Sequence, residues 1–322
     1  MSNKETPVKA PNRRQVLGTM GLVGAGVVLG ACTPAMSQTG TKPNIDADVL
    51  NFALNLEYLE AAFYSAAVGR LDEFKALGGG NAEIRLPANF TPNTFASPAV
   101  AAYAQEIAQD EINHVKFLRA ALTAAGVKPV DRPVLDIGPA FAAAANAAAK
   151  NAGLLTGDQK LSPDFSPYAN APFDLYFLHG VFIFEDVGVT AYKGAARLIT
   201  NGDYLEAAAG ILAVEAYHAG EIRTLLYAQK DQQTGYGVSV AQLIQAISDL
   251  RDAVDGSTDD DQGIVSGTGN PSFVTSANIV LADENSIAYS RTTAQVLPIV
   301  YLGGAAGVGG GFFPNGLNGT IR

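Results

Sequence analysis

The chain has 322 residues, 48% hydrophobic and 16% charged, which is enough apolar sequence to bury the core of one or two domains. Its formal net charge of -10 at pH 7 leaves no basic footprint for phosphate backbones and argues against binding of nucleic acid. A single cysteine excludes an internal disulfide, a zinc knuckle and an iron–sulfur cluster, so any metal must be held by carboxylates and histidines.

Residues 1–32 are predicted to be an export signal. Arg13 and Arg14 form a twin-arginine pair, and the apolar run that follows is too short and too rich in glycine for a stable membrane span. The run closes with Leu29-Gly30-Ala31-Cys32, which resembles the lipidation sequence of bacterial lipoproteins, so Cys32 is the predicted lipidation site. Ordinary cleavage a few residues later is the alternative.

This signal predicts a protein of the bacterial periplasm or envelope that touches a membrane only through an N-terminal lipid. Twin-arginine export carries proteins that have already folded, often around a cofactor. The signal therefore favours a bound metal or cofactor. Residues 33–45, rich in Ser, Thr, Gly and Pro, are predicted to be a linker.

Helical periodicity takes over at residue 46, with Asp46 as the predicted N-terminal cap. A long connection between the second and third helices carries a short alanine-rich helix, and a connection of only three residues makes the third and fourth helices antiparallel neighbours. The predicted fold class is an all-α four-helix bundle over residues 46–230 with a long crossover from helix two to helix three. The predicted long helices span 47–68, 98–125, 172–200 and 203–229, and the short one lies within 139–154.

Residues 231–322 are predicted to be a helical and glycine-rich C-terminal extension. It contains one amphipathic helix, over 238–254, and an apolar segment, over 294–302, that must cover another surface. We expect the tail to pack on the bundle; a partner-binding arm is the alternative. Residues 255–263 are acid-rich but lack the glycine and glutamate of a calcium-binding EF-hand loop, so they are interpreted as a solvated loop.

The same Glu-x-x-His step occurs on two of the predicted helices. Glu111 precedes His114 on helix two, and Glu215 precedes His218 on helix four. Positions i and i+3 lie on one face of a helix about a turn apart, so both side chains of each pair can reach one ion. The chain has only 3 histidines, so finding this step at two of them favours a shared metal centre.

Helices one and three repeat a different step. Tyr64 follows Glu57 by seven residues and Tyr192 follows Glu185 by seven, so each acid shares a helix face with its tyrosine. Glu185 lies in a run that is apolar nearly all round, where an unpaired carboxylate would cost several kcal/mol. Two divalent ions would balance four glutamates, and oxygen-rich ligation with one imidazole per ion favours iron or manganese. A polar network without metal is the alternative.

Four further residues near this pattern have simpler interpretations. Glu60 could be a seventh ligand, but its helix face is rotated by about 60°, which favours a contact with the ligands or the surface. His179 is interpreted as a core histidine. Tyr64 and Tyr192 could donate hydrogen bonds to metal-bound carboxylates, carry a radical, or simply pack.

From these residues the chain resembles the ferritin-like superfamily, and within it the desiccation-related, stress-associated ferritin-like proteins. The resemblance implies a ferritin-like four-helix bundle with metal ligands at Glu57, Glu111, His114, Glu185, Glu215 and His218. It also implies an aspartate before the glutamate of each Glu-x-x-His helix; Asp110 fits and Val214 departs, which leaves one histidine without its supporting carboxylate. The stretches that carry it are 54–64, the two Glu-x-x-His helices, 290–297 and 310–319.

The resemblance implies a role in stress but does not settle a reaction. The leading hypothesis is an exported protein with two iron or manganese ions that handles oxygen or peroxide, as a manganese-catalase-like enzyme or a ferroxidase. The alternatives are a metal-binding protein without turnover and a structural protein of the envelope. Whether the protein is an enzyme stays open, a homo-oligomer is compatible with the sequence, and the metal ions are the expected partners.

Overall fold

The computed structural model describes residues 44–169, 174–266 and 276–322. The predicted signal, its arginine pair, Cys32 and most of the linker lie outside the described residues. The helices of the described part, in chain order, are α1 (Asp46–Ala67), α2 (Leu71–Lys75), α3 (Pro98–Ala124), α4 (Pro139–Asn151), α5 (Leu175–Ala196), α6 (Gly202–Ala228), α7 (Val240–Asp255) and α8 (Thr293–Val300). The strands are β1 (Ile84–Arg85), β2 (Leu135–Asp136), β3 (Val265–Ser266) and β4 (Ser276–Ala277).

Four long helices form the body of the protein, which confirms the predicted all-α bundle. α1 packs against α3, α5 packs against α6, and α1 and α5 contact each other. Nearly every side chain of α1 and α5 is buried, whereas α3 and α6 each bury one face and expose the other. Within the described residues, no helix has both the length and the apolar content that crossing a bilayer requires.

Local sequence explains where the outer bundle helices begin. The Ser97 side chain caps α3 by accepting from the Val100 N–H, and Pro98 occupies the first turn, where it costs no hydrogen bond. Asn201 caps α6 by accepting from the N–H groups of Asp203 and Tyr204. α5 ends at Ala196, four residues before the predicted end, so the connection to α6 is longer than predicted.

The prediction that Asp46 caps α1 is wrong. Asp46 is already the first residue of the helix, and its carboxylate accepts the backbone N–H groups of Thr200 and Asn201 at 2.8 and 2.9 Å. Helix-capping rules consider only the neighbouring residues, whereas the Asp46 carboxylate here binds the distant α5–α6 connection. Asp46 therefore ties the start of α1 to the end of α5.

The long crossover between α3 and α5 is confirmed, and it is joined to the connection between α1 and α3. β1 pairs in parallel with β2, with Ile84 opposite Leu135. The Asp136 carboxylate then accepts the N–H groups of Gly138 and Ala140, both at 3.0 Å, and so binds the free N–H groups at the start of α4. The sequence did not predict these short strands because two residues carry no periodic signal.

The C-terminal extension packs on the bundle, as predicted. α7 packs against α4, and α8 packs against α7 and α5. The Phe312 ring lies 4.8 Å from Phe184 and 5.1 Å from Phe141, centroid to centroid. Asn318 and Asn55 exchange two hydrogen bonds, at 2.9 and 3.0 Å, which fixes the last residues on α1.

The interpretation of residues 255–263 as a solvated loop is wrong in part. The side chains of Asp255, Asp260 and Asp261 are buried, and all three contact the Arg291 guanidinium at 2.7 to 3.2 Å. Asp261 also contacts Arg251 at 2.7 Å. Charge composition alone suggested solvation, because the arginines that bury these acids lie on other segments of the chain.

Candidate metal centre

The middle of the bundle brings together all six predicted ligands. α3 and α6 each present a glutamate and a histidine one turn apart on the buried face, while α1 and α5 each contribute one glutamate. None of these residues is more than 8% exposed. The six are Glu57, Glu111, His114, Glu185, Glu215 and His218.

One half of the centre is built around His114. Its Nδ1 atom lies 3.1 Å from Glu57 Oε2, 3.4 Å from Glu111 Oε2 and 3.5 Å from Glu215 Oε1. Each of these four residues offers one ligand atom, and those atoms all lie within 4.8 Å of one another. Three carboxylates and one imidazole at this spacing could hold a transition-metal ion.

The other half is built around His218. Its Nδ1 atom lies 3.3 Å from Glu111 Oε1 and 3.5 Å from Glu185 Oε2, and the ligand atoms of these three residues also lie within 4.8 Å of one another. Glu111 belongs to both halves, with Oε2 toward His114 and Oε1 toward His218. Its carboxylate is therefore placed to bridge two ions.

Six donor atoms of this cluster make no hydrogen bond within the residues that the structure describes. Buried polar atoms in folded proteins almost always find a hydrogen bond, so a group of unsatisfied ones indicates a missing ligand. Two transition-metal ions fit this donor set in number and in kind. The six atoms of the cluster are Glu111 Oε1 and Oε2, Glu215 Oε1 and Oε2, Glu185 Oε2 and His218 Nδ1.

The pKa values of the carboxylates show what the cluster does without metal. Burial raises the pKa of Glu57 to about 7, and it raises those of Glu185 and Glu215. Burial also opposes the ionisation of Glu111, but the two nearby histidines, with Nδ1 atoms at 3.4 and 3.3 Å, outweigh it and lower the Glu111 pKa.

The histidines respond in the opposite sense. Burial opposes their protonation, but Glu57 and Glu111 outweigh it at His114 and raise its pKa to about 11. Glu185, Asp110 and Glu111 likewise raise the pKa of His218. Without metal the cluster is thus held together by protons, and metal ions would replace them on binding.

Two tyrosines bind the outer carboxylates in a crossed arrangement. Tyr64 of α1 donates to Glu185 Oε1 of α5, and Tyr192 of α5 donates to Glu57 Oε1 of α1. The sequence placed each tyrosine on the same face as its own helix's glutamate, whereas each one bonds the glutamate of the other helix. Each bond occupies one carboxylate oxygen and leaves the second toward the histidines.

Comparison with known proteins agrees with this geometry. The sequence model of the ferritin-like domain family matches residues 45–228, which include α1 to α6 and all six cluster residues. The chain belongs to the ferritin-like family.

Two named relatives extend the match beyond the ferritin-like domain. The chain is 33% identical over 263 residues to desiccation-related protein PCC13-62 of Craterostigma plantagineum, covering 79% of this chain and 77% of the relative. It is 30% identical over 304 residues to the ferritin-like catalase Nec2 of Nesocodon mauritianus, covering 90% and 89%. No solved structure gives a significant match.

In this ferritin-like bundle Asp110 lies where the sequence resemblance placed it. Its Oδ2 atom is 3.3 Å from His218 Nε2, while His218 Nδ1 faces Glu111 and Glu185. The ring N–H can therefore donate to Asp110, which orients the imidazole and raises its basicity. Val214 stands at the matching position of α6 and offers no acceptor.

Replacing Asp110 with asparagine should weaken metal affinity or turnover by about 10- to 100-fold, because the amide is a poorer acceptor for the His218 N–H. The control is Glu106→Gln, which removes the same charge from the exposed face of the same helix. Metal affinity measured by competition with a chromogenic chelator tests this. Equal affinities for the two variants would remove Asp110 from the centre.

Gly188 of α5 was not anticipated, and it makes room for the cluster. A Cβ atom at this position would overlap Glu215 Oε2 and would come within 3.5 Å of Glu60 Oε1. The absence of a side chain thus lets the Glu215 carboxylate lie against the α5 backbone. A glycine inside a long buried helix is the sequence signal that could have drawn attention to it.

We expect Gly188→Ala to lower the metal content of the protein, because the added methyl group must displace the Glu215 carboxylate. Alanine otherwise favours a helix by about 1 kcal/mol over glycine, so the fold should persist. Gly220→Ala on α6 is the matched control, since a Cβ there would meet no neighbouring atom of the described segments within 4 Å. Elemental analysis should show full metal content in the control; full content in Gly188→Ala as well would contradict the role of Gly188.

The remaining candidates occupy the positions that the simpler interpretations gave them. Glu60 is buried beside the cluster but belongs to neither ligand group, and burial raises its pKa well above the usual value. His179 is a core histidine whose Nδ1 lies 2.6 Å from the Leu175 carbonyl oxygen. Burial lowers the pKa of His179 to about 4, so it stays neutral.

Proposed function

We propose that this ferritin-like protein holds two iron or manganese ions in the bundle and dismutates hydrogen peroxide in the bacterial cell envelope. The observation that carries the proposal is the pair of buried ligand groups that share Glu111, because six of their donor atoms make no hydrogen bond within the described part of the chain. The similarity to a relative named ferritin-like catalase supports the reaction, and the similarity to a desiccation-related protein supports the stress role.

The proposed reaction balances without an external reductant. One hydrogen peroxide is oxidised to dioxygen and gives up two electrons and two protons, and a second peroxide accepts them and becomes two waters. When bound, two redox-active ions would store the electrons between these two half-reactions. Ferroxidase chemistry, in contrast, consumes ferrous ion as a substrate.

The chain's own residues orient the ligands, exclude water and hold a proton. Tyr64 and Tyr192 fix the orientation of Glu185 and Glu57, and Asp110 fixes the ring of His218. The burial of the cluster excludes bulk water, which strengthens every charge interaction inside it. Glu60, with its raised pKa, can hold a proton at its carboxylate beside the ligands.

A small cavity between α1 and α5 suits a small uncharged substrate. Its lining is apolar apart from Glu60, and the C-terminal extension supplies part of it. Hydrogen peroxide needs no charged binding group, so apolar walls with one carboxyl group are sufficient. The lining includes Leu56, Leu59, Glu60, Ile183, Gly188, Val300 and Phe312.

Oxygen evolution from hydrogen peroxide by the metal-loaded protein, followed with an oxygen electrode, tests the proposed activity. We expect one dioxygen for every two peroxides consumed, with manganese or iron present and no added reductant. Protein that contains both ions but evolves no oxygen would refute the catalase proposal. In that case ferrous oxidation, measured on the same sample, separates a ferroxidase from a protein that only binds metal.

The export part of the proposal depends on Arg13, Arg14 and Cys32. Replacing both arginines with lysine should leave the folded protein in the cytoplasm, because the twin-arginine route reads that pair. Immunoblots of cell fractions measure this, and Lys4→Arg, which leaves the arginine pair intact, is the control. Normal export of the double variant would rule out the twin-arginine route.

A further inference from the structure

A second charged cluster lies outside the ferritin-like ligand set, where α5, α6, α7 and the chain after α7 meet. Three buried arginines cross-link it. Arg223 contacts Asp186 at 2.8 Å, and Arg251 contacts Asp186 at 3.1 Å and Asp261 at 2.7 Å. Arg291 contacts three acids, Asp255, Asp260 and Asp261, at 2.7 to 3.2 Å.

The acids of this cluster outnumber the arginines. Oxygen atoms of Asp252, Asp255 and Asp260 lie within 4.8 Å of one another, and Asp252 is paired with none of the three arginines. With Asp186 and Asp261 the cluster holds five carboxylates against three guanidinium groups. If all are ionised, two negative charges are left without a counter-charge.

One carboxylate oxygen at this place has no partner. The Asp255 side chain is fully buried, and its Oδ2 accepts from Arg291 at 2.7 Å. Its Oδ1 is also buried but makes no hydrogen bond to any residue in the described ranges. A buried carboxylate oxygen without a donor is costly, and it is the kind of atom that a bound cation would satisfy.

Burial and mutual repulsion raise the pKa values of two of these carboxylates. Burial, together with the charge of neighbouring acids, raises the pKa of Asp252 to about 7. Burial and Asp260 outweigh Arg291 at Asp255 and raise its pKa to about 6.

We propose that Asp252, Asp255 and Asp260 bind one calcium ion. All the candidate ligand atoms are oxygens and none is a histidine nitrogen or a thiolate, which selects a hard cation over the transition metals of the bundle. One divalent ion supplies the two positive charges that the arginines do not. Because the acids come from a helix end and a loop, the irregular geometry suits calcium better than octahedral magnesium.

The proposed calcium ligands come from segments that the ion would connect. Asp252 and Asp255 end α7, whereas Asp260 lies on the following loop, and Asp252 Oδ1 already accepts the Asp260 N–H at 3.2 Å. Asp260 also accepts from Gln295 of α8 at 3.4 Å. Calcium would thus join α7, its loop and the start of α8, and it would brace the C-terminal extension internally.

Isothermal titration of calcium chloride into the full protein tests this proposal. The transition metals are left in place, and calcium is removed beforehand by gel filtration rather than by a chelator. We expect one calcium per chain and a melting temperature that rises with calcium concentration. Absence of binding to the wild-type protein would overturn the proposal, and tighter binding of magnesium would overturn the choice of ion.

Two variants locate the binding site. Asp252→Asn should weaken calcium binding at least 10-fold; it removes a carboxylate that is paired with none of the three arginines, so the network that holds the fold stays intact. Asp249→Asn removes the same charge one turn earlier on the exposed face of α7 and should bind calcium as the wild type does. Unchanged calcium affinity in Asp252→Asn would refute the site.

Discussion

Replacing Glu111 with glutamine is expected to empty both halves of the metal centre. Its two carboxylate oxygens face His114 and His218 separately, at 3.4 and 3.3 Å, so one substitution weakens both ligand groups. The amide is nearly the same size, but it carries no charge and is a poor metal ligand. We expect metal content to fall from two ions per chain to nearly none and peroxide turnover to fall by more than about 100-fold, beyond the loss expected for Asp110→Asn.

Two variants serve as controls for this prediction. Glu185→Gln should retain about one ion, because Glu185 belongs only to the His218 half. Glu221→Gln, on α6 but outside both groups, should retain two. Circular dichroism confirms that each variant keeps its helices. A Glu111→Gln protein with as much metal as Glu185→Gln would show that Glu111 does not bridge the two halves.

The metal-free protein should lose stability as the pH rises from about 5 to 8, whereas the metal-loaded protein should not. Burial raises the folded-state pKa of Glu57 to about 7 from its usual 4.5. The folded chain therefore binds this proton more tightly than the unfolded chain. The stabilisation is complete below pH 4.5 and is lost as the pH rises through 7.

His114 changes stability in the same direction. Its pKa rises from 6.5 to about 11, so its contribution is complete below pH 6.5 and is lost as the pH rises through 11. Glu111, with its lowered pKa, contributes above pH 4.5 and loses that contribution only in more acidic solution. For Glu57 alone, the loss in the free energy of unfolding corresponds to about 3 kcal/mol.

Urea unfolding at pH 5 and pH 8, with and without metal, measures this effect. Metal ions replace the protons on the ligands, so stability of the loaded protein should change little over this interval. Glu57→Gln removes one titrating group, and its metal-free form should show a smaller loss. A metal-free wild-type protein that gains stability toward pH 8 would contradict the protonated state proposed for the cluster.

The ligand set could be predicted from sequence because helix geometry is local and regular. A residue and the one three places on share a face in any α-helix, so Glu111 with His114, and Glu215 with His218, were paired without knowledge of the fold. Glu57 and Glu185 followed from the repeated step to a tyrosine seven residues on, and Glu185 also lies in an apolar run where a charge needs a partner. The order and lengths of the bundle helices followed from the same periodicity.

Contacts between distant segments could not be predicted in this way. The crossed bonds of Tyr64 to Glu185 and of Tyr192 to Glu57 depend on how α1 and α5 pack, which no single helix encodes. The burial of Asp260 and Asp261 depends on Arg291, which lies 30 residues after Asp261 in the chain. Asp46 likewise is a residue type typical of a helix cap, but its carboxylate accepts a hydrogen bond from Thr200, 154 residues away.

The central claim is that the buried cluster holds two transition-metal ions, and elemental analysis of the native protein tests it most directly. The full chain should be expressed with iron and manganese supplied and purified without chelators, and its metals should be measured per folded chain by mass spectrometry. We predict close to two ions of iron and manganese together in the wild type and nearly none in Glu111→Gln. Folded wild-type protein that contains neither metal, and takes up neither when it is supplied, would contradict the claim.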